Sequence, residues 1–144
     1  MNSRTLKEEY ARDSFENLLF AIALFRQVLG RWPSAISVVG WTFKAERYDL
    51  HRSALKWPKA RFTYIGVNNP NGAALEAAHC AEKARLDAAK NDLYLVGSDW
   101  AAQRERRDPF HRRHPYHDVD PLLAAFFDFA GTDKFKAQFP WEDA

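Results

Sequence analysis

The sequence predicts an α/β domain: a small open parallel sheet of two or three strands flanked by helices, resembling part of a Rossmann-like three-layer sandwich. Three observations lead there. Hydrophobic periodicity runs helix, strand, helix, strand, helix along the chain. Two short β-branched runs, around Ile36 and Phe62, stand against an all-helical arrangement. The first of them is apolar on both parities, as expected where helices cover both faces of a parallel sheet, with right-handed crossovers between strands.

From Ser14 to Gly30, Phe15, Leu18, Leu19, Ile22, Phe25 and Leu29 recur at helical spacing, and Phe20, Ala21, Ala23 and Leu24 make much of the other face apolar. This predicts a helix buried on most sides, stopped by Gly30 and Pro33. Ala35 to Trp41 reads as the first strand. Thr42 is the expected cap of a helix reaching about Trp57 ahead of Pro58. Arg61 to Val67 reads as the second strand, followed by the turn-rich Asn68-Asn69-Pro70-Asn71-Gly72 and a peripheral, Ala-rich helix from Ala73 to Ala89. Leu93 to Val96 suggests a short third strand, and Asp120-Pro121 opens a helix through Phe129. Residues 1–144 form one domain in this reading, with 1–8 and 131–144 as flexible or peripheral tails.

The size and the 47% hydrophobic content suit one globular core and exclude wholesale disorder. The polar, alternately charged start, MNSRTLKEEYARDS, lacks the features of a targeting segment, and the longest apolar run, Leu18 to Phe25, falls far short of a bilayer span. The lone cysteine, Cys80, gives no disulfide framework, so a cytoplasmic location is expected, with no membrane. Net charge is only +2, yet Ala101 to His117 carries Arg104, Arg106, Arg107, Arg112 and Arg113 against Glu105 and Asp108. Without a binding motif, that segment predicts a surface charge cluster or a lid over an anionic ligand and no specific nucleic acid. His111, His114 and His117 are interrupted by Pro115, so no metal is expected.

Two segments carry a resemblance. Glu8-Glu9-Tyr10-Ala11-Arg12-Asp13-Ser14-Phe15-Glu16-Asn17 is similar to the E-x-x-S-x-N-T-x-E-N segment of the YdcF/SanA/ElyC-like family, with Glu8, Glu16 and Asn17 matching and Asp13 and Ser14 as near substitutes. Val38 to Arg47 resembles that family's strand followed by F-H-x-x-R, with Arg47 matching and Lys44 in place of histidine. The lysine form, with Arg107-Asp108-Pro109-Phe110, resembles the fungal branch. The resemblance covers roughly Glu8 to Tyr116 and lacks the family's earlier strand-helix units with their Gly-rich loop, so the chain looks like a C-terminal half. It implies S-adenosylmethionine as a ligand, which the residues themselves do not display.

The residues point to a place more firmly than to a reaction. Lys44 and Arg47 fall in the first turn of a helix after a parallel strand, where open α/β sheets bind ligands and where two cations lower stability unless an anion sits near them. A small phosphate-bearing or nucleotide-like ligand is therefore expected at Lys44 and Arg47, and the resemblance implies Glu8, Arg12, Asp13, Ser14, Asn17 and Thr42 as further ligand-binding residues. The bland alternative for the cations is a solvated helix face paired with Glu46 or Asp49. Glu16, three residues after Asp13, fits a capping box and, if unpaired, is the best candidate general base. His51 is expected to pack rather than to extend the site. The alternative function is a non-catalytic interaction protein, and the open sheet edge predicts a homodimer or a partner supplying the absent half.

Overall fold

Asp13 fixes the start of the first helix: its side chain accepts the backbone N–H of Glu16 at 2.8 Å, and α1 runs Ser14–Leu29 until Gly30 closes it in the left-handed conformation. The computed structural model describes residues 4–143. Phe15, Leu18, Leu19, Phe20, Ile22 and Ala23 all lie buried, so α1 is the central beam of the core that its two apolar faces predict. The capping box is displaced by one residue, because the Glu16 carboxylate reaches back to the N–H of Arg12, at 2.8 Å, instead of that of Asp13.

Strand β1 (Ile36–Gly40) pairs in parallel with β2 (Phe62–Gly66), in the register Ile36 to Phe62 and Gly40 to Gly66. Between them lies α2 (Ala45–Ala54), entered through a 3₁₀ turn at Thr42–Lys44. Thr42 does not cap this helix as expected. Its N–H instead donates to Asn69 Oδ1 at 2.9 Å, tying the end of β1 to the loop after β2. A Cβ on Gly66 would lie 2.3 Å from Thr42 Oγ1 and 2.9 Å from Thr42 Cα, so glycine is what lets the two strand ends approach. Helix α2 ends short of Trp57, where Lys56 takes a positive φ of 51°.

Helix α3 (Gly72–Lys90) is peripheral and buries only Glu82, Leu86 and Ala89. Leu93 to Val96 is not a strand: the Asp92 carboxylate accepts the N–H groups of Val96 and Gly97, and Leu95 sits at φ 55°, which breaks extended pairing. Helix α4 (Ser98–Arg107) occupies the first part of the segment read from sequence as a surface charge cluster or a lid over an anionic ligand. Helix α5 (Pro121–Phe127) starts as predicted, with the Asp120 side chain accepting the Leu122 N–H.

Two further expectations are corrected. Among the described residues the sheet has two strands, and it is covered on one face only: Ile36, Val38, Phe62 and Tyr64 are half-buried, whereas Ser37, Val39, Thr63 and Ile65 face outward, Val39 being 63% exposed. The apolar residues of both parities therefore do not mark two covered faces here. The C-terminal stretch is not peripheral either. Phe135, Phe139 and Trp141 are buried, and Trp141 donates its indole N–H to the Leu55 carbonyl at 2.8 Å. Of the expected tails, residues 1–3 and 144 lie outside the described residues.

Candidate functional site

A concave cleft of about 260 Å³ opens where the start of α1 meets the start of α2, and it is lined by Arg12, Asp13, Ser14, Asn17, Lys44, Arg47 and Tyr48, with Arg85 from α3 and Arg107 from α4. Six of the residues selected from sequence thus converge, although the two segments that hold them are about thirty residues apart. The first-turn positions of both helices explain the meeting, because α1 and α2 pack directly on each other.

Charge in the cleft is unequal. Arg47 is 5% exposed, donates Nε to Glu82 Oε1 at 2.7 Å and Nη1 to Ser14 Oγ at 3.1 Å, so its partner is on α3 and is neither Glu46 nor Asp49. Asp49 pairs with Arg52. Arg12 holds Glu16, and Arg104 holds Asp13 at 2.6 Å. Lys44, Arg85 and Arg107 have no carboxylate partner among the described residues; Lys44 lies over the Trp41 ring, and Arg107 donates to the Arg12 carbonyl. Three cations therefore face the cleft without compensation, where an anion would be stabilised by Coulomb attraction and by the two helix starts.

The remaining sequence candidates lie elsewhere. The Glu8 carboxylate accepts the N–H groups of Tyr10 and Ala11, at 2.9 Å each, and the Tyr116 hydroxyl at 2.8 Å, which makes it a staple of the chain entering α1. Burial and this carboxylate hold the Tyr116 phenol well above its usual range. Thr42 serves the junction between the strands and is not a lining residue. Glu16 is not the unpaired carboxylate that a general base requires: Arg12 donates to it through Nε and Nη2, and Arg104 approaches at 3.5 Å. It faces a separate cavity walled by Phe20, Phe126, Phe127 and Phe129. Asn17, which does line the cleft, is exposed there and hydrogen-bonds the Tyr48 side chain. The three histidines near α5 are engaged separately, His111 with Glu105, His114 against Phe20 and Phe127, and His117 with Asp118 and Asp128.

Sequence reasoning missed Arg85, which belongs to no motif, placed Arg107 only within the basic segment and not among the site residues, and missed Glu82, hidden on a helix whose apolar stripe is weak. His51 packs, as expected, but not as an inert ring. It is fully buried, with Nε2 2.8 Å from Ser14 Oγ and edge contacts to Phe15 and Tyr48. Burial first, then Arg47 and Arg104, push its pKa down to about 3. The unfolded chain takes up this proton near pH 6.5, whereas the native protein resists until about pH 3, so stability contributed by neutral His51 is complete above pH 6.5 and lost progressively below it. The loss approaches about 5 kcal/mol at the acid end. Urea unfolding between pH 7 and pH 4 should show a shallower pH slope for His51→Gln than for the wild type; equal slopes would mean that the ring is not held neutral.

The chain is 34% identical over 121 residues to the uncharacterized protein YOR238W of Saccharomyces cerevisiae, an alignment spanning 76% of this chain and 39% of the yeast protein. No protein-family model and no solved structure matches the chain. Among the described residues no helix is long and apolar enough to cross a membrane.

Proposed function

We propose that this chain is a YdcF-like α/β domain whose cationic cleft receives a small phosphate-bearing ligand, such as a nucleotide or a phosphorylated metabolite. The observation that carries this reading is the convergence of Arg12, Lys44, Arg47, Arg85 and Arg107 from four separate segments on one concavity, with Lys44, Arg85 and Arg107 left without carboxylate partners among the described residues. Solvated surface cations have no reason to meet in this way, since mutual repulsion opposes it. The placement of the cleft beside the carboxyl end of β1 agrees with the general rule for open α/β sheets. S-adenosylmethionine fits the lining poorly: its sulfonium and ammonium groups would be repelled by the surplus of positive charge, and only its carboxylate would be attracted.

Lys44 and Arg85 are the residues for the test, because neither makes an ion pair among the described residues and removing them leaves no buried charge behind. Titration calorimetry with inorganic phosphate and with nucleoside monophosphates should show roughly tenfold weaker binding for Lys44→Ala and for Arg85→Ala, with melting temperatures within a degree or two of wild type. Binding that is unchanged in the double variant removes the cleft as the site. The alternative reading, a non-catalytic interaction protein, draws its support from the outward sheet face, where Val39 and Ile65 stand side by side in register.

A further inference from the structure

A buried serine–histidine contact at the edge of an anion cleft suggests a nucleophile at first sight, and the hydrogen-bond inventory decides against it. Ser14 Oγ lies 2.8 Å from His51 Nε2 and 3.1 Å from Arg47 Nη1, while His51 Nδ1 is buried without a hydrogen-bond partner among the described residues. Neutral imidazole carries one N–H. Placed on Nδ1, that proton would be an orphaned buried donor, the state that folded proteins avoid most strongly, at about 1–3 kcal/mol. Placed on Nε2, it donates to Ser14 Oγ, and only a lone pair is left idle on Nδ1. The guanidinium of Arg47 is a donor in every protonation state and occupies the second lone pair of the same oxygen.

With both lone pairs of Oγ occupied by donors, the hydroxyl proton must take the remaining tetrahedral direction, and Ser14 is a lining residue of the cleft. We propose that Ser14 is a ligand-facing donor, its O–H turned into the cleft by His51 and Arg47, so that the site accepts oxyanions through a neutral donor as well as through its cations. This rests on the cleft being the anion site proposed above. It also fixes what Ser14 does not do. A nucleophilic serine needs a base ready to take its proton, and here the imidazole is itself the donor in a site flanked by Arg47 and Arg104. Ser14 thus has a binding role, and His51 and Arg47 are positioning residues that act through it.

The arrangement predicts selectivity. An oxygen that is both unprotonated and anionic satisfies the serine proton and the cations together, whereas a ligand that must donate at this point meets another donor. Phosphate monoesters and inorganic phosphate belong to the first class.

Two measurements on the folded protein test this. In the wild type, the ¹⁵N shifts of His51 should report the Nε2–H tautomer, and a proton on Nδ1 would overturn the proposal whether or not any variant folds. In titrations with inorganic phosphate, Ser14→Ala should bind about tenfold more weakly, with Ser14→Thr restoring most of the affinity because it keeps the hydroxyl. If wild type and Ser14→Ala bind phosphate equally well, the serine role is lost and the cleft survives. If the wild type itself does not bind phosphate, the cleft reading fails with it. Incubation with p-nitrophenyl phosphate should leave Ser14 unmodified, and a phosphoryl adduct on Ser14 by mass spectrometry would overturn the assignment as a donor.

Discussion

Trp141→Ala should be among the most damaging single changes in the chain, lowering unfolding stability by about 3–5 kcal/mol. The indole is wholly buried. It stacks on Phe139 with ring centroids 4.9 Å apart and meets Trp32 and Trp57 at 5.4 and 5.6 Å, and its N–H satisfies the Leu55 carbonyl. Truncation leaves a cavity between these rings and a buried carbonyl without its donor, so two penalties add. Chemical denaturation with far-UV circular dichroism measures the effect, with Lys136→Ala, an exposed neighbour on the same stretch, as the control expected to stay within about 0.5 kcal/mol. A Trp141→Ala variant as stable as that control would mean that the C-terminal stretch is peripheral, as its sequence suggests, and that the packing described here does not form.

That contrast shows what the sequence could and could not disclose. Helix α1 was legible from its periodicity, its Asp13 cap and its Gly30 stop, and the two strands were legible to within a residue at each end, because each signal is local. The stretch after Gly131 carries its aromatics at positions 135, 139 and 141, which follow neither a helical nor a strand period, so only tertiary contact reveals that they are core. Leu93 to Val96 misleads for the opposite reason. Its apolar run is real and buried Leu95 belongs to the core, but Asp92 folds the backbone into a turn. The site divides in the same way. Arg12, Asp13, Ser14, Asn17, Lys44 and Arg47 could be found because they cluster at two helix starts, whereas Arg85 and Arg107 reach the cleft from exposed helical faces that look like ordinary solvated charge. Glu82 escaped altogether, since a single carboxylate on an Ala-rich helix carries no sign that it is buried.

Glu82 is the carboxylate that allows Arg47 to stay buried beside the cleft, and Glu82→Gln should expose that dependence. The pair joins side chains that are 6% and 9% exposed, at 2.7 Å. Removing one charge of a buried pair leaves the other uncompensated and commonly costs about 3–5 kcal/mol, far more than the net contribution of the intact pair. Gln keeps the shape and one carbonyl acceptor, so the loss should fall toward the lower end of that range, and Glu82→Ala toward the upper end. The cleft then gives the variant a second property. An anion bound between Lys44, Arg47 and Arg85 would partly replace the missing carboxylate, so added phosphate should raise the melting temperature of Glu82→Gln by more than it raises that of the wild type. The double variant Arg47→Met with Glu82→Leu, which removes both charges and keeps the volume, should recover most of the stability and lose the phosphate response. Thermal unfolding of these proteins across a phosphate series distinguishes the outcomes. If Glu82→Gln is destabilised but gains no more from phosphate than the wild type does, Arg47 is a structural charge only, and the anion must be held by Lys44, Arg85 and Arg107 without it.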